Sequence, residues 1–280
     1  MPTVPAVNRQ VRLAARPNGL PARSDWHFTQ EPVAEPGPGE FLVRVEYVSV
    51  DPAMRGWVSE RRSYWPPVAI GAVMRAGGVG EVIRSNHPDH PVGQYVEGPF
   101  GVQQYAIADG RDVRAIDPAV APPPVHLGAL GMIGMTAYFG LLDVGRPQPG
   151  QTVLVSAAAG AVGSAAGQIA KIVGCRAVGI AGGPEKCRAV VDEFGFDAAI
   201  DYKAEDVRAA IREHCPDGVD VYFDNVGGST LEASLANLAR GARVVLCGAI
   251  SQYNATERPK GPANYMSLLV NRARMEGFLV

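Results

Sequence analysis

The sequence predicts an α/β chain in two parts, a small β-barrel followed by a doubly wound parallel sheet. Two changes of texture and one turn predict it. Up to Pro122-Pro123-Pro124 the chain reads as short strands broken by Gly, Pro, Asn and Asp, the pattern of a small barrel. From Gln151 onward β-branched runs alternate with helical segments, and that order requires crossovers and hence a parallel sheet. Between the first strand and first helix of this second part lies a glycine-rich turn, Ser156-Ala-Ala-Ala-Gly-Ala-Val-Gly163.

In the first part, Phe41, Val43, Val45 and Tyr47 alternate with Arg44 and Glu46, so Phe41–Tyr47 reads as a half-buried strand. Val79–Ile83, Gln94–Val96 and Gln103–Ala108 are further short strands. Val125–Leu142 is largely apolar, but His126 and the glycines at 128, 131, 134 and 140 predict a buried, glycine-packed helix rather than a membrane span. In the second part the strands are Thr152–Val155, Arg176–Ala181, Ala198–Asp201, Val219–Phe223, Arg243–Leu246 and Met275–Val280. The helices between them run to about Val173, then over Glu185–Phe194, Asp206–Glu213 and Ser229–Leu238.

The turn reads as a dinucleotide fingerprint with alanine in the first glycine slot, Ala158-x-Gly160-x-x-Gly163. Gly160 lets the backbone approach a pyrophosphate, and Gly163 lets the helix pack close to the sheet. The helix start at Ala161 and Val162 offers free N–H groups and a positive dipole end. NAD sites place an acid at the end of the second strand to hold the ribose 2′-hydroxyl. This strand ends Ile180-Ala-Gly-Gly-Pro184 with Lys186 following, which favours the 2′-phosphate of NADPH. The fourth strand runs into Asp224-Asn-Val-Gly-Gly228 and the fifth into Cys247-Gly-Ala-Ile-Ser-Gln-Tyr-Asn254. Both loops reach the carboxyl edge of the sheet, where ligands bind. Asn225 reads either as a cofactor contact or as an Asx turn, and Tyr253 as a site residue or a loop aromatic.

Composition narrows the class. Of 280 residues 47% are hydrophobic, enough for a real core, and a net charge of −2 gives no case for nucleic acid or an anionic membrane. The four cysteines, Cys175, Cys187, Cys215 and Cys247, lack CxxC spacing and form neither a zinc cluster nor a disulfide framework. His87 and His90 share a polar loop and read as solvated; the expected metal content is none. The opening residues hold no signal-peptide core, so the expected location is cytoplasmic.

Taken with Asn8-Arg-Gln10, Tyr47-Val-Ser-Val-Asp-Pro52, Met54-Arg-Gly56, Thr136-Ala-Tyr-Phe-Gly-Leu141 and Gly182-Gly-Pro-Glu-Lys-Cys-Arg188, these motifs resemble the zinc-free medium-chain dehydrogenase/reductases, and within them the alkenal and prostaglandin reductase branch. The resemblance implies a GroES-like substrate domain over 1–125, a Rossmann domain over 126–280 and a homodimer. It implies NADPH contacts at Gly160, Ala161, Val162, Gly163, Lys186, Tyr202, Asn225, Cys247, Gly248, Ala249, Ile250, Ser251, Gln252, Tyr253, Thr136 and the strand end Phe278, Leu279 and Val280. Met132, Tyr64 and Trp65 are the expected substrate walls. The chain departs from the family pattern at Ala53, Gln94, Val102 and Gly131-Met-Ile-Gly134, and the two aromatics missing at Ala53 and Val102 leave its substrate preference within the family open. Family members continue past the sixth strand and return to complete the catalytic domain. The expectation for residues 1–280 is therefore a folded, NADPH-binding second half with severely reduced reductase activity.

The activity implied is NADPH-dependent reduction of the C=C bond of an α,β-unsaturated ketone or aldehyde. Hydride would reach the β-carbon, and Tyr253 with the nicotinamide ribose 2′-hydroxyl would stabilise the enolate oxygen. Quinone reduction on the same scaffold and non-catalytic NADPH binding are the alternatives.

Overall fold

The computed structural model describes residues 7–61 and 63–280. The chain divides into two compact units between Gly131 and Met132.

The first unit is built on antiparallel strands. β1 (Val7–Leu13) and β2 (Trp26–Pro32) form a ribbon. β3 (Phe41–Val48), β4 (Gly78–Ser85), β5 (Tyr95–Gly98), β6 (Tyr105–Ala108) and β7 (Arg114–Ile116) form a sheet in the order β6-β3-β4-β5-β7. Asn8 knits β1 to β6. Its buried amide donates to the Tyr105 carbonyl at 2.8 Å and accepts from the Tyr105 N–H at 3.0 Å, as a strand partner would. Phe41, Val43, Val82, Val96, Phe100 and Ala106 fill the core behind the sheet. Two short helices, α1 (Met54–Trp57) and α2 (Pro123–Leu127), complete the unit.

Strict alternation along β3 does not hold. Leu42 is fully buried while Tyr47 is 48% exposed. The pairing with β4 shifts register twice, with Ile83 of β4 extra between Leu42 and Val43 and Glu46 of β3 extra between Val45 and Tyr47, and the extra residue in β3 swaps the face that Tyr47 occupies. The loop histidines differ from expectation too. His90 is buried, stacks 4.5 Å from Phe41 and holds Gln94 Oε1 through Nδ1 at 2.8 Å.

The second unit opens with α3 (Met132–Phe139) and a π-helical turn, Gly140–Gly145. The apolar run from Val125 is therefore not one buried helix. Gly128, at φ −101° and ψ −110°, ends α2 outside helical space. In α3 only Ala137 is buried, and Met132, Met135, Tyr138 and Phe139 are exposed. Among the described residues no helix is long and apolar enough to cross a membrane.

Six strands follow: β8 (Thr152–Ser156), β9 (Arg176–Ala181), β10 (Ala198–Asp201), β11 (Val219–Asp224), β12 (Leu238–Leu246) and β13 (Arg274–Gly277). The last is shorter than Met275–Val280. All pairs are parallel, in the order β10-β9-β8-β11-β12-β13. The strand order reverses between β8 and β11, the switch point at which such sheets open a crevice. α4 (Ala161–Ile172) and α5 (Pro184–Asp192) join α3 on one face, through Ala137, Ala166, Ala170 and Val190. α6 (Val207–His214) and α7 (Gly228–Leu235) cover the other through Ile211, Leu231 and Leu235, with the short α8 (Ser267–Val270) packed beside them.

α4 packs closely at Gly167, where a Cβ would lie 1.8 Å from the ring of Phe196, a buried residue of the loop before β10. Gly167→Ala should cost about 1–3 kcal/mol by overpacking. Phe196→Leu in the same chain should recover much of it, as read from urea unfolding of the two single variants and the double variant.

Candidate dinucleotide site

The carboxyl ends of β8, β9, β11 and β12 place the predicted turns together on one edge of the second unit. The first turn bends at Ala157, whose φ of +51° is left-handed, and not at the alanine that occupies the first glycine slot. Ala158 is fully buried beneath it. A Cβ on Gly163 would stand 2.3 Å from the Ala157 carbonyl oxygen, so only glycine lets α4 start this close to the strand end. Gly160 is the N-cap and carries no side chain to satisfy the first N–H groups of α4. Those groups, at Ala161 and Val162, have the positive end of an amphipathic helix behind them and suit a pyrophosphate.

The turn after β9 is shaped from the neighbouring strand. Gly183 caps α5 at φ +95° and its N–H donates to Asp201 Oδ1 at 2.8 Å; the Lys203 N–H donates to the same oxygen at 3.0 Å. These two donors hold the Asp201 carboxyl below its ordinary range. The Tyr202 ring lies across Gly182, where a Cβ would meet it at 2.7 Å. Lys186 is the third residue of α5 and exposed; among the described residues no carboxylate lies within ion-pair distance of it.

At the switch point the strand ends are laced by buried polar groups that the sequence reading missed. Asp224 is fully buried, and its Oδ1 accepts from Tyr222 Oη at 2.7 Å, Ser156 Oγ at 3.1 Å, and the N–H groups of Val226 and Gly227, each at 2.9 Å. The Asx turn therefore belongs to Asp224, one residue before the expected one. Asn225 instead bridges strands: its N–H donates to Ser156 Oγ at 2.9 Å and its amide to the Ser156 carbonyl at 2.8 Å. The Asp224 carbonyl accepts from Cys247 and Gly248, which ties in the end of β12. Burial and Asp224 push the Tyr222 hydroxyl well above its ordinary range. Burial, then Asp224, push the Cys247 thiol up to about 12, which makes it a lining group and not a nucleophile. A polar residue closing each of two apolar strands, Ser156 and Asp224, was the readable signal.

The remaining predicted residues fall as follows. Ile250, Ser251 and Gln252 form a 3₁₀ turn, with Ser251 Oγ donating to the Val226 carbonyl at 2.6 Å. Tyr253 is half-buried behind it, and its hydroxyl oxygen accepts from the Ala249 N–H at 3.2 Å. Thr136 Oγ1 donates back to the Met132 carbonyl of its own helix. The Phe278 ring packs into the core, 6.3 Å from Phe223 and filling the notch at Gly140, while Leu279 and Val280 are exposed. Met132 is exposed on α3. In the first unit Tyr64 and Trp65 are also exposed, with the Arg75 guanidinium 5.1 Å from the Trp65 ring. Among the described residues no group of three His, Cys, Asp or Glu side chains is placed to hold a metal ion. The cysteines are all free.

The Ser156 hydroxyl serves both Asp224 and Asn225. Ser156→Ala removes one donor and leaves the Asn225 N–H without its acceptor. The expected cost is about 1–3 kcal/mol in urea unfolding. A change below about 0.5 kcal/mol, the range of ordinary surface substitutions, would show that the strand ends hold without it.

Known proteins match this architecture along the chain. Residues 9–116 match the family described as the N-terminal domain of oxidoreductase, and residues 161–280 match the zinc-binding dehydrogenase family. An NADPH-dependent curcumin reductase of Escherichia coli is 45% identical over 98% of this chain and 80% of its own length. A 2-alkenal reductase (NADP(+)-dependent) of Nicotiana tabacum is 40% identical over 98% of this chain and 81% of its own length. The crystal structure of CurA in complex with NADPH from Vibrio vulnificus superposes with a TM-score of 0.92 at 46% identity, covering 97% of this chain and 82% of that one. With the doubly wound sheet, the Gly160–Gly163 turn and these relatives, the chain belongs to the medium-chain dehydrogenase/reductase superfamily, in the branch of the curcumin, alkenal and prostaglandin reductases.

Proposed function

We propose that this protein is an NADPH-dependent reductase of the C=C bond of α,β-unsaturated ketones or aldehydes. The observation that carries the reading is the edge of the second unit. It offers bare helix N–H groups for a pyrophosphate, an exposed Lys186 with no carboxylate in ion-pair distance among the described residues and a Tyr202 ring lying on Gly182, and it lacks an acid at the end of β9. The relatives named for curcumin and 2-alkenal reduction supply the substrate class.

Bound NADPH would supply the hydride that adds to the β-carbon. The N–H groups of Ala161 and Val162 would hold its pyrophosphate. Lys186 and Tyr202 would hold the 2′-phosphate and the adenosine end. Asn225 and the Cys247–Gln252 loop would line the nicotinamide end. The Tyr253 hydroxyl, held by the Ala249 N–H, is pre-oriented to donate to the carbonyl oxygen on which enolate charge grows. No step is assigned to a metal. The exposed Tyr265, Met266, Leu269 and Val270, beside β13 at the open edge of the sheet, support a homodimer through this face, and sedimentation would test it. The reading places the protein in the cytoplasm.

The test is steady-state NADPH oxidation with an enone beside a quinone, with direct cofactor binding. The expected result is enone turnover that a chelator leaves unchanged. Quinone turnover without enone turnover would move the reading to quinone reduction, and binding without either would remove catalysis from it. Lys186→Ala should weaken NADPH binding about ten- to a hundredfold and leave NADH nearly unchanged, because a charge-assisted contact to the 2′-phosphate is lost. Equal losses for both cofactors would remove Lys186 from the site. Tyr253→Phe should lower kcat for the enone more than it weakens NADPH binding. An unchanged kcat would leave Tyr253 a wall only.

A further inference from the structure

We infer that Asp201 is a positioning residue of the 2′-phosphate site, whose carboxylate sets the Gly182–Gly183 turn and thereby aims Lys186; the inference rests on the NADPH reading above. NAD-type sites put an acid at the end of the second strand, facing the ribose hydroxyls. Here that strand, β9, ends in Ala181 with two glycines after it. The acid reaching this end comes from the next strand. Asp201 is the last residue of β10 and lies beside Ala181 in register. Its Oδ1 is taken up by the N–H groups of Gly183 at 2.8 Å and Lys203 at 3.0 Å.

The turn that leads to the cation hangs from that oxygen. Gly183 stands at φ +95° and ψ 153° as the N-cap of α5, with no side-chain cap to hold it, so the Asp201 bond is its tether. Lys186 comes three residues later, in the first turn of the helix that Gly183 starts. Tyr202 directly follows Asp201, hydrogen-bonds through its own N–H to the Ala181 carbonyl and lays its ring on Gly182. Asp201 thus fixes the turn beneath a phosphate, the ring beside it and the origin of the cation.

A carboxylate at this place also sets two effects in opposition. Its charge, with those of Glu185 in α5 and Glu205, whose Oε1 accepts the Asp201 N–H at 2.6 Å, repels a phosphate. Its hydrogen bonds organise the site that attracts one. The two effects predict opposite signs for Asp201→Ala. If repulsion dominates, the variant binds the 2′-phosphate more tightly. If positioning dominates, it binds more weakly, and Asp201→Asn restores binding, because the amide oxygen can accept the same two N–H groups.

The experiment titrates the whole chain with 2′,5′-ADP and with 5′-AMP, which differ in the 2′-phosphate. The expected result is that Asp201→Ala loses about tenfold in 2′,5′-ADP affinity and less than about twofold for 5′-AMP, and that Asp201→Asn matches the parent or exceeds it. Gly183→Ala is a second route to the same turn. A Cβ there meets nothing within 4 Å, so only the backbone conformation is disturbed, and the same selective loss is expected even if Asp201→Ala folds poorly. Tighter or unchanged 2′,5′-ADP binding by Asp201→Ala would overturn the inference, as would equal loss of both ligands in Gly183→Ala or a loss in Asp201→Asn as large as in Asp201→Ala. A parent chain with no preference for 2′,5′-ADP would instead overturn the NADPH reading on which the inference rests.

Discussion

The Asp224 carboxylate is the constraint on which the dinucleotide edge depends. A parallel sheet of the observed order must part where its strands diverge, and β8 and β11 lie on either side of that parting. Their main-chain ladder stops at Val155 and Phe223. Beyond it, Ser156 and Asn225 continue the pairing with side chains, and Asp224 gathers a hydroxyl from each strand and two N–H groups of its own turn onto one oxygen. A fully buried carboxylate is costly unless hydrogen bonds compensate its lost hydration. Its other oxygen, Oδ2, has no partner among the described residues. The cost is met at the point where the turns after β8 and β11 hold a fixed separation, and a buried polar network that is well supplied with donors specifies geometry more narrowly than apolar packing does.

The same economy of construction runs along the rest of the edge. Small residues close the strands: Ala157 to Gly160 after β8, Gly182 and Gly183 after β9, Gly227 and Gly228 after β11, Gly248 and Ala249 after β12. Removing side chains bares backbone N–H groups, which is what an anionic ligand at a helix start requires. Bare turns are also floppy, since glycine loses the most freedom on folding. Each is tied by polar side chains: the end of β8 by the Asn225 amide on the Ser156 carbonyl, the turn after β9 by Asp201, the turn after β11 by Asp224 and Ser251, and the turn after β12 by the Tyr253 hydroxyl. The edge thus bares backbone N–H groups, and these side chains brace it from behind.

The sequence made the periodic parts of this architecture legible. Arg176–Ala181 and Ala198–Asp201 stand where the β-branched runs put them, and the other strands of the second unit overlap their expected positions. Fully buried parallel strands read as continuous apolar runs, so their signal is strong. The first unit was harder. The extra residue Glu46 in β3 exchanged the face of Tyr47, and a bulge leaves no mark in a hydropathy pattern. His90 was read as solvated from a polar loop, yet Gln94, four residues on, provides the one partner that lets an imidazole bury against Phe41. The run from Val125 showed helix-like apolarity but could not show that Gly128 leaves helical space and separates α2 from α3.

For the site itself the division is sharper and has a physical reason. Gly160, Gly163 and Lys186 stand out in the sequence because the pattern that singles them out lies within a few residues: a strand before, a helix after, a cation in the first helical turn. Ser156 and Asp224 showed only as polar residues closing apolar strands, and Asp201 not at all, because the bonds they make reach across the sheet, at separations of 69, 18 and 68 positions for the Ser156–Asn225, Asp201–Gly183 and Asp224–Ser156 bonds respectively. A sequence motif records the backbone that touches a ligand. The side chains that hold that backbone are set by strand order, and strand order becomes available only once the sheet is assembled. If Asp201 positions Gly183 as inferred, two chains could share the Gly160–Gly163 turn and Lys186 and still differ in preference for the 2′-phosphate, according to whether the residue at the end of the third strand accepts the Gly183 N–H.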